Sequence, residues 1–351
     1  MLVHQLEEME MNIKRRSWRT RGPLAAALLA AALGWGAPVA RAAEVLVYSA
    51  RSHYGNEPAM EAFTRKTGIR IHTFGGSSQE VFERLRAEGE RTRADLLITV
   101  DAGNLWNAAR HGLLAPVPSP GLRASVPAHL RDPQDRWFGL TVRARTIVYN
   151  PGRVDPRELS TYEALGDPRW RGRLCLRTSS SIYNQSLLAV RIQREGEARV
   201  ERMLRAWVAN RPVLLQSDIK LLEAIAAGQC DVGIANTYYL ARLLAKDPGF
   251  PVAPFWADQG GAGTHVNISG AGVTAHARNR EQAVRLLEFL AGPEAQNLFA
   301  DGNFEYPANP RVAPHGILAR WGAFRADESN VAAAGEFQAA AIRVADRAGY
   351  R

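Results

Sequence analysis

The sequence predicts an α/β fold with two lobes that are joined by two crossings of the chain. Runs of β-branched residues alternate with helical patterns between residues 44 and 100, and a second alternation occupies the middle of the chain. A glycine-rich connection at 258–274 then leads back toward the first set of strands. Such alternation is typical of a largely parallel sheet with helices on both faces and a ligand site at the carboxyl ends of its strands. Two lobes and two crossings indicate a binding protein that closes on its ligand by a hinge motion.

The first lobe begins with a βαβαβ unit. Its predicted strands are EVLVYSA at 44–50, IRIHTFGG at 69–76 and ADLLITV at 94–100. Apolar residues at helical spacing fill the segment between the first two strands, and a serine-capped helix that closes on Gly89 fills the next. A helix, NLWNAARHGLL, follows the third strand, and a proline-rich stretch after it, PVPSPGLRASVPAHLRDP, is expected to be a loop.

The second lobe repeats the alternation after the strand WFGLTVRARTIVYN at 137–150. The loop TSSSIYNQS leads into a predicted helix, LLAVRIQREG, and a further helix is expected over Glu197–Ala209. The strand PVLLQSD, the helix IKLLEAIAAGQ, the buried strand CDVGIAN and the helix TYYLARLLAKDPG complete this lobe. The resulting domain boundaries are 1–42 for a signal peptide, 43–141 for the first part of lobe 1, 142–262 for lobe 2, 263–312 for the return to lobe 1, and 313–351 for a C-terminal helical segment that packs on the lobes.

The first 42 residues predict export from the cytoplasm. A basic segment, KRRSWRTR, precedes an apolar run from Pro23 to Trp35 and a small-residue cleavage site that ends at Ala42. This order is that of a secretory signal peptide, and the apolar run is too short to span a bilayer. The paired Arg15 and Arg16 leave both the general secretory route and the twin-arginine route open. We therefore expect a free periplasmic monomer without stable membrane insertion.

The chain contains two cysteines, Cys175 and Cys230, and both lie in the exported part. Oxidising conditions there permit a disulfide, so we expect the two to pair, with two separate buried thiols as the alternative. The formal net charge is +9, but the basic residues are interleaved with acidic ones along helices and lack an aromatic-basic pattern, which argues against nucleic acid as a partner. The hydrolase, metalloprotease, P-loop and dinucleotide motifs are all missing from the sequence, so we do not expect an enzyme.

Tyrosines occur where predicted strands lead into helices. Tyr54 follows the first strand beside His53, Tyr183 precedes a helix of the second lobe, and Tyr238 and Tyr239 come directly after CDVGIAN. Ordinary aromatic packing is the alternative explanation. A phenol has a pKa near 10 and ionises at neutral pH only beside a strong positive charge. Hard, highly charged Fe(III) suits phenolate oxygen, and a helix N-terminus favours negative charge. The junctions therefore predict a site for ferric rather than ferrous iron.

These motifs resemble those of the periplasmic ferric-iron-binding proteins of bacterial ABC importers, the bacterial transferrin group, and in particular its carbonate-independent subgroup. The similarity runs through VYSARSHYG, ADLLITVDAGNLW, RARTIVYN, GRLCLRTSS, GQCDVGIANTYYL, HVNISGAGV and NFEYP. It implies a two-lobe type II periplasmic-binding-protein fold with a two-crossover hinge, one iron in the interlobe cleft, and delivery to an ABC permease and its ATPase subunit. It also implies the metal ligands, which are His53, Tyr54, Tyr183, Tyr238 and Tyr239.

Two points stay open at this stage. His53 is either the fifth ligand or a hydrogen-bonding residue beside the metal. Four phenolates on Fe(III) carry one negative charge, and the arginines placed to offset it are Arg143, Arg145 and Arg242. For each of these arginines, a surface position or a structural salt bridge is the alternative. The rival function is capture of an organic or oxyanionic solute such as thiamine, a polyamine or a phosphonate by the same fold, with the serines and threonines of TSSS and GGSS as donors.

Overall fold

The computed structural model describes residues 43–51, 58–314 and 316–351. The predicted signal peptide at 1–42 lies outside the described residues, as do His53 and Tyr54. No helix in the described ranges is both long enough and apolar enough to cross a membrane.

Ten strands in the described residues form one mixed sheet. They are β1 Glu44–Ser49, β2 Arg70–Gly75, β3 Leu96–Val100, β4 Phe138–Tyr149, β5 Leu174–Arg177, β6 Val213–Leu215, β7 Val232–Asn236, β8 Ala253–Phe255, β9 Val266–Val273 and β10 Tyr306–Pro307. Their order across the sheet is β2-β1-β3-β9-β4-β7-β5-β6, and β8 and β10 both pair with β4. The strands at each end are parallel, as predicted, whereas β9 and β4 in the middle are antiparallel to their neighbours.

Strand β4 connects the two ends of the sheet. Its first half pairs with β9, from Phe138 to Ala144, and its second half pairs with β7, from Arg145 to Tyr149. Every residue of β4 except Tyr149 is buried. A strand covered on both faces reads as a continuous apolar run, but β4 carries two buried arginines, Arg143 and Arg145, at the point where its pairing changes from one neighbour to the other.

Thirteen α-helices are found among the described residues. They are α1 Pro58–Thr67, α2 Ser78–Glu88, α3 Ala102–Arg110, α4 Pro120–Ser125, α5 Ile182–Glu195, α6 Glu197–Ala209, α7 Asp218–Ala226, α8 Thr237–Lys246, α9 Arg280–Ala291, α10 Pro293–Asn303, α11 Gly316–Arg320, α12 Ala333–Glu336 and α13 Gln338–Arg347. Local sequence accounts for several starts: Ser77 and Glu80 form a capping box on α2, and Ser217 caps α7.

Two expectations about local structure were wrong. The proline-rich stretch contains α4, because Ser119 caps the amide of Leu122 and Pro120 occupies the first helical position. The segment TSSSIYNQS is not a loop throughout, since α5 begins at Ile182 and places Tyr183 in its first turn. The first difference arises because a cap residue, rather than the apolar period, sets the helix boundary. Ser181 before α5 makes no capping hydrogen bond through its side chain.

The buried apolar side chains form separate cores on the two sides of the β4 crossing. The first core is built from β1, β3, the first half of β4, β9 and helices that include α1, α3 and α9. The second core is built from α5, α6, β5, β7 and the C-terminal α13, with a smaller cluster around α7 and the two cysteines beside it. The described structure is therefore a mixed α/β fold with two cores. The predicted lobe boundaries follow this division but stay predictions.

The C-terminal helices contact both sides. Helix α12 packs against α3 and α5, and α13 packs against α5 and α6. Gly335 of α12 approaches Trp106 of α3 so closely that a Cβ atom there would lie 2.7 Å from the indole ring. The penultimate residue of the chain, Tyr350, is buried in the second core.

Candidate metal centre

Two adjacent parallel strands bring the middle tyrosines together. Strand β5 pairs with β7 through Leu174 and Cys175, and the carboxyl end of each leads to a helix, α5 after β5 and α8 after β7. Tyr183 lies in the first turn of α5 and Tyr238 in the first turn of α8. The Tyr238 hydroxyl donates to the Tyr183 hydroxyl oxygen at 3.2 Å. Two phenol oxygens therefore meet at the edge of the sheet where parallel α/β folds bind ligands.

Tyr239 completes the group, which we call the tyrosine site: Tyr183, Tyr238 and Tyr239. The rings of Tyr238 and Tyr239 lie 4.2 Å apart between centroids and are tilted by 40°. Tyr238 is buried, with 1% of its surface exposed, whereas Tyr239 is half-buried. Asn236, the residue before α8, points its amide Nδ2 at the Tyr238 hydroxyl at 3.5 Å. The N-terminal end of α8 also contributes partial positive charge.

Arginine side chains surround the tyrosine site. The guanidinium carbons of Arg143, Arg145 and Arg177 lie 5.4, 5.9 and 5.7 Å from the ring centroid of Tyr183. That of Arg242 lies 5.1 Å from the ring centroid of Tyr238. These distances are those of cation–π contacts. Arg143, Arg145 and Arg242 were predicted from the sequence, whereas Arg177 was not.

Two buried aspartates hold the arginines in place. Asp101, which precedes α3, accepts from Arg143 at 3.4 Å and from Ser186 of α5 at 2.9 and 2.8 Å. Asp218, the first residue of α7, accepts from Arg145 at 2.9 Å through one oxygen and from Arg177 at 3.0 Å through the other. Neither carboxylate exposes any side-chain surface. Buried charges are tolerated when they are paired in this way.

Asparagines complete the hydrogen bonding of Arg145. The side-chain oxygen of Asn184 accepts from Nε at 3.0 Å and from Nη2 at 2.7 Å, and that of Asn236 accepts from Nη1 at 3.1 Å. Tyr162 donates its hydroxyl to the Arg145 carbonyl at 2.5 Å. Asn184 in turn donates to the hydroxyl of Tyr350 at 2.6 Å. A continuous polar network therefore runs from the C-terminal end of the chain to the tyrosine site.

The tyrosine site favours neutral phenols until a cation arrives. Burial and the neighbouring Tyr239 raise the pKa of Tyr183 to about 12, and Arg143 opposes that shift only in part. Burial also raises the pKa of Asp101. At neutral pH the Tyr183 phenol therefore keeps its proton, and it loses that proton only when a highly charged ion binds beside it.

A narrow gap adjoins Tyr183, and its lining includes Arg143, Arg145 and His265. His265 is buried, and neither of its ring nitrogens has a hydrogen-bond partner among the described residues. Burial lowers its pKa, so the imidazole is neutral. His265 could not be predicted from the sequence as a neighbour of Tyr183. It directly precedes β9, and only the pairing of strands in the sheet brings it close to the tyrosine site.

The two predicted ligands of lobe 1, His53 and Tyr54, lie outside the described residues, which end at Arg51 on this side. Arg51, the last described residue before the segment with His53 and Tyr54, donates to Glu305 at 3.0 Å and to Thr141 at 3.3 Å. Elsewhere in the described residues, no group of three or more His, Cys, Asp or Glu side chains is placed to hold a metal ion. A metal held by the described part would therefore depend on phenol oxygens.

The two cysteines are joined by a disulfide, as the sequence analysis expected. Cys175 lies in β5 and Cys230 lies two residues before β7, so the bond ties together the two strands that lead to Tyr183 and Tyr238. No free cysteine is present in the described part of the chain.

The fold and this site are those of a solute-binding protein. Residues 92–319 match the family model described as bacterial extracellular solute-binding protein, and the chain belongs to this family. Iron uptake protein A1 of Synechocystis sp. is 41% identical over 88% of this chain and 88% of its own length. Iron uptake protein A2 of the same organism is 40% identical over 98% of this chain and 100% of its own length.

Solved structures give the same result. A Trichodesmium protein (IdiA, FutA) in complex with iron and citrate matches with a TM-score of 0.84 and 42% identity, over 88% of this chain and all of that chain. The ferric binding protein from Campylobacter jejuni matches with a TM-score of 0.80 and 31% identity, over 88% and 100%. The predicted fold class and the resemblance to the ferric-iron-binding proteins are both confirmed. These relatives are named as binding or uptake proteins rather than as enzymes.

Proposed function

We propose that this protein captures iron, as Fe(III), in a cleft between two lobes and delivers it to an ABC importer. The observation that carries the proposal is the meeting of Tyr183 and Tyr238, whose hydroxyl oxygens lie 3.2 Å apart beside Tyr239. Arginines also suit an oxyanionic solute, but neither an oxyanion nor an organic solute accounts for three clustered phenols. A trivalent ion does, because it can displace several phenol protons at once.

The ligand set we propose is Tyr54, Tyr183, Tyr238 and Tyr239, with His53 as a fifth ligand. Phenolate oxygen is a hard donor and suits ferric iron, whereas Zn(II) and Cu(I) favour nitrogen and sulfur. The complex of four phenolates with Fe(III) has one negative charge. Arg143, Arg145 and Arg242 lie within 6 Å of the rings of Tyr183 or Tyr238 and offset that charge.

Closure of the two lobes completes the site. We assign lobe 1 to residues 43–141 and 263–312, lobe 2 to 142–262, and the C-terminal helical segment to 313–351. We assign the hinge to β4, which runs from the first core into the second, and to the segment before β9, where the chain passes from Ala257 in the second core to Val266 in the first. Iron binds the open form through the tyrosine site of lobe 2, and closure then adds Tyr54 from lobe 1.

The protein acts in the periplasm after removal of a signal peptide at 1–42 by the general secretory or the twin-arginine route. Membership in an extracellular solute-binding family supports this location. Its partners are the permease and ATPase subunits of an importer, and it works as a monomer without nucleic acid.

The test is direct loading of the purified mature protein with ferric citrate. We expect one iron per chain and a visible absorption band, because phenolate-to-Fe(III) charge transfer absorbs visible light. Thiamine, spermidine and methylphosphonate serve as competing solutes in thermal-shift measurements and should leave the melting temperature unchanged. A colourless protein that binds one of these solutes instead of iron would refute the proposal.

A further inference from the structure

Asp218 is shared by two arginines that are not equivalent. Arg145 is buried, and besides Asp218 it donates to Asn184 and Asn236. Arg177 donates to the other oxygen of Asp218 and to the Gln216 carbonyl, both at 3.0 Å, and its side chain is 17% exposed. Its Nε atom is buried and has no hydrogen-bond partner among the described residues. One carboxylate therefore neutralises one of the two guanidinium groups and leaves the other as surplus.

The rest of the surroundings do not remove this surplus. Arg143 is balanced by Asp101. Glu305, which also interacts with Arg143, is paired with Arg51 at 3.0 Å. His265 is neutral because burial lowers its pKa. In the largely buried region around Tyr183, one uncompensated positive charge thus remains among Arg143, Arg145, Arg177, Asp101 and Asp218.

Such a charge is costly to keep in a protein interior unless a negative charge joins it. We infer that Arg177 is a positioning residue for the metal centre: with Arg145 anchored by Asp218, Arg177 supplies the positive charge that the single negative charge of the ferric tetraphenolate complex requires. The inference rests on the proposed function and deepens it, because it identifies which guanidinium group is matched to the loaded site.

The sign of the effect on the iron follows from Coulomb's law. The ferric complex carries one negative charge and the ferrous complex carries two, so a nearby positive charge stabilises the ferrous form more. Removal of that charge should weaken Fe(III) binding and should weaken Fe(II) binding further. The reduction potential of the bound iron should therefore fall when Arg177 is neutralised.

The experiment compares Arg177→Gln, Arg177→Lys and the control Arg173→Gln in the full mature chain. Arg173 is a matched control because it also shares an aspartate with a second arginine. Asp231 accepts from Arg173 at 2.6 Å and from Arg153 at 2.5 Å. Arg173 precedes β5 and therefore lies at the opposite end of this strand from Arg177. Fe(III) affinity is measured by competition with citrate. The reduction potential is measured by a redox titration with dithionite that is followed by visible absorption. The melting temperature of the iron-free protein is recorded for each variant.

We expect Arg177→Gln to weaken Fe(III) binding roughly tenfold or more and to lower the reduction potential. The Arg177 guanidinium carbon lies 5.7 Å from the ring centroid of Tyr183, a proposed ligand, and charges at short range interact strongly in a partly buried site. Arg177→Lys should restore most of both values, and Arg173→Gln should change neither. The inference is overturned if Arg177→Gln binds Fe(III) and titrates like the wild type. It is also overturned if Arg177→Lys does not recover the Fe(III) affinity although its melting temperature equals that of Arg177→Gln. The role of Arg177 would then be structural rather than electrostatic. A wild-type protein that binds no Fe(III) defeats the proposed function itself, which separates the two failures.

Discussion

The hydroxyl oxygens of Tyr183 and Tyr238 lie 3.2 Å apart although 55 positions separate the two residues in the sequence. The contact exists because β5 and β7 are parallel neighbours whose following helices begin side by side. Two neutral phenols gain one hydrogen bond from this arrangement. Two phenolates would repel each other unless a cation lay between them. The short distance between the two oxygens therefore indicates a site whose phenols lose protons when a cation binds.

Replacement of the adjacent tyrosines should abolish tight iron binding. We expect Tyr238→Phe and Tyr239→Phe each to weaken Fe(III) affinity by more than about a hundredfold, because even changes outside the ligand shell commonly cost 10–100-fold. The visible absorption band should shift or disappear. Citrate competition and a visible spectrum measure both effects.

The matched control is Tyr149→Phe, which removes a half-buried phenol at the end of β4. Tyr162 is a poor control, because its hydroxyl holds the Arg145 carbonyl and accepts the His265 amide. Equal losses in Tyr149→Phe and Tyr239→Phe would show that the phenol pair does not hold the metal.

Iron binding should release protons, and the affinity should rise with pH. The pKa of Tyr183 is raised to about 12 by burial and by Tyr239, so the phenol is protonated at neutral pH in the iron-free protein. Each phenol that becomes a ligand expels one proton, and linkage then makes acid weaken binding. We expect Fe(III) affinity to fall as the pH is lowered from about 8 to about 5.

The number of protons can be counted directly in weakly buffered solution with a pH indicator during loading with a ferric chelate. At saturating iron, Tyr183→Phe should release one proton fewer than the wild type, whereas Tyr149→Phe should release the same number. An unchanged proton count in Tyr183→Phe would remove Tyr183 from the ligand set.

The sequence revealed the tyrosines but not the groups that hold them. Tyr183, Tyr238 and Tyr239 could be found because strand and helix patterns locate the junctions where they lie. Asp218 and Arg177 could not, because they are 41 residues apart, and Asp218 lies 73 residues from Arg145. Nothing local distinguishes Asp218 from an ordinary acidic residue in the first turn of a helix.

The C-terminal helices were foreseen only as a segment that packs on the lobes. The apolar residues of α12 and α13 are mainly alanines, which do not indicate the surface that they pack against, and Gly335 is required by its close approach to Trp106. Tyr350 reaches Asn184 from the end of the chain. Contacts of this kind depend on the tertiary fold and leave no signal in a short window of sequence.

Loss of Arg145 should destabilise the iron-free protein. Both Arg145 and Asp218 are buried, and their side chains expose 2% and 0% of their surfaces. Arg177 still pairs with Asp218 in an Arg145 variant, but the buried side-chain oxygens of Asn184 and Asn236 lose their donor. A buried polar group that is left unsatisfied costs about 1–3 kcal/mol. We therefore expect Arg145→Met to lower the free energy of unfolding by about 3 kcal/mol. Urea denaturation measures this loss.

The control for this prediction is Arg157→Met, because Arg157 pairs with Asp155 on the surface and exposes 90% of its side chain. Exposed ion pairs contribute little to stability. We expect no measurable change in the urea midpoint for this variant. A urea midpoint for Arg145→Met equal to that of Arg157→Met would mean that the buried network does not stabilise the fold.

The disulfide should stabilise the fold more than it tunes the metal. The bond between Cys175 and Cys230 closes a loop with a sequence separation of 55 residues. In the chain-entropy model a loop of that size contributes about 4 kcal/mol by restricting the unfolded chain. We expect the double variant Cys175→Ala, Cys230→Ala to unfold at a clearly lower urea concentration than the wild type. Neither cysteine belongs to the proposed ligand set, so the visible spectrum of the iron-loaded variant should match that of the wild type. A variant that unfolds like the wild type, or one that loses its colour while still folded, would contradict this assignment of the bond to stability alone.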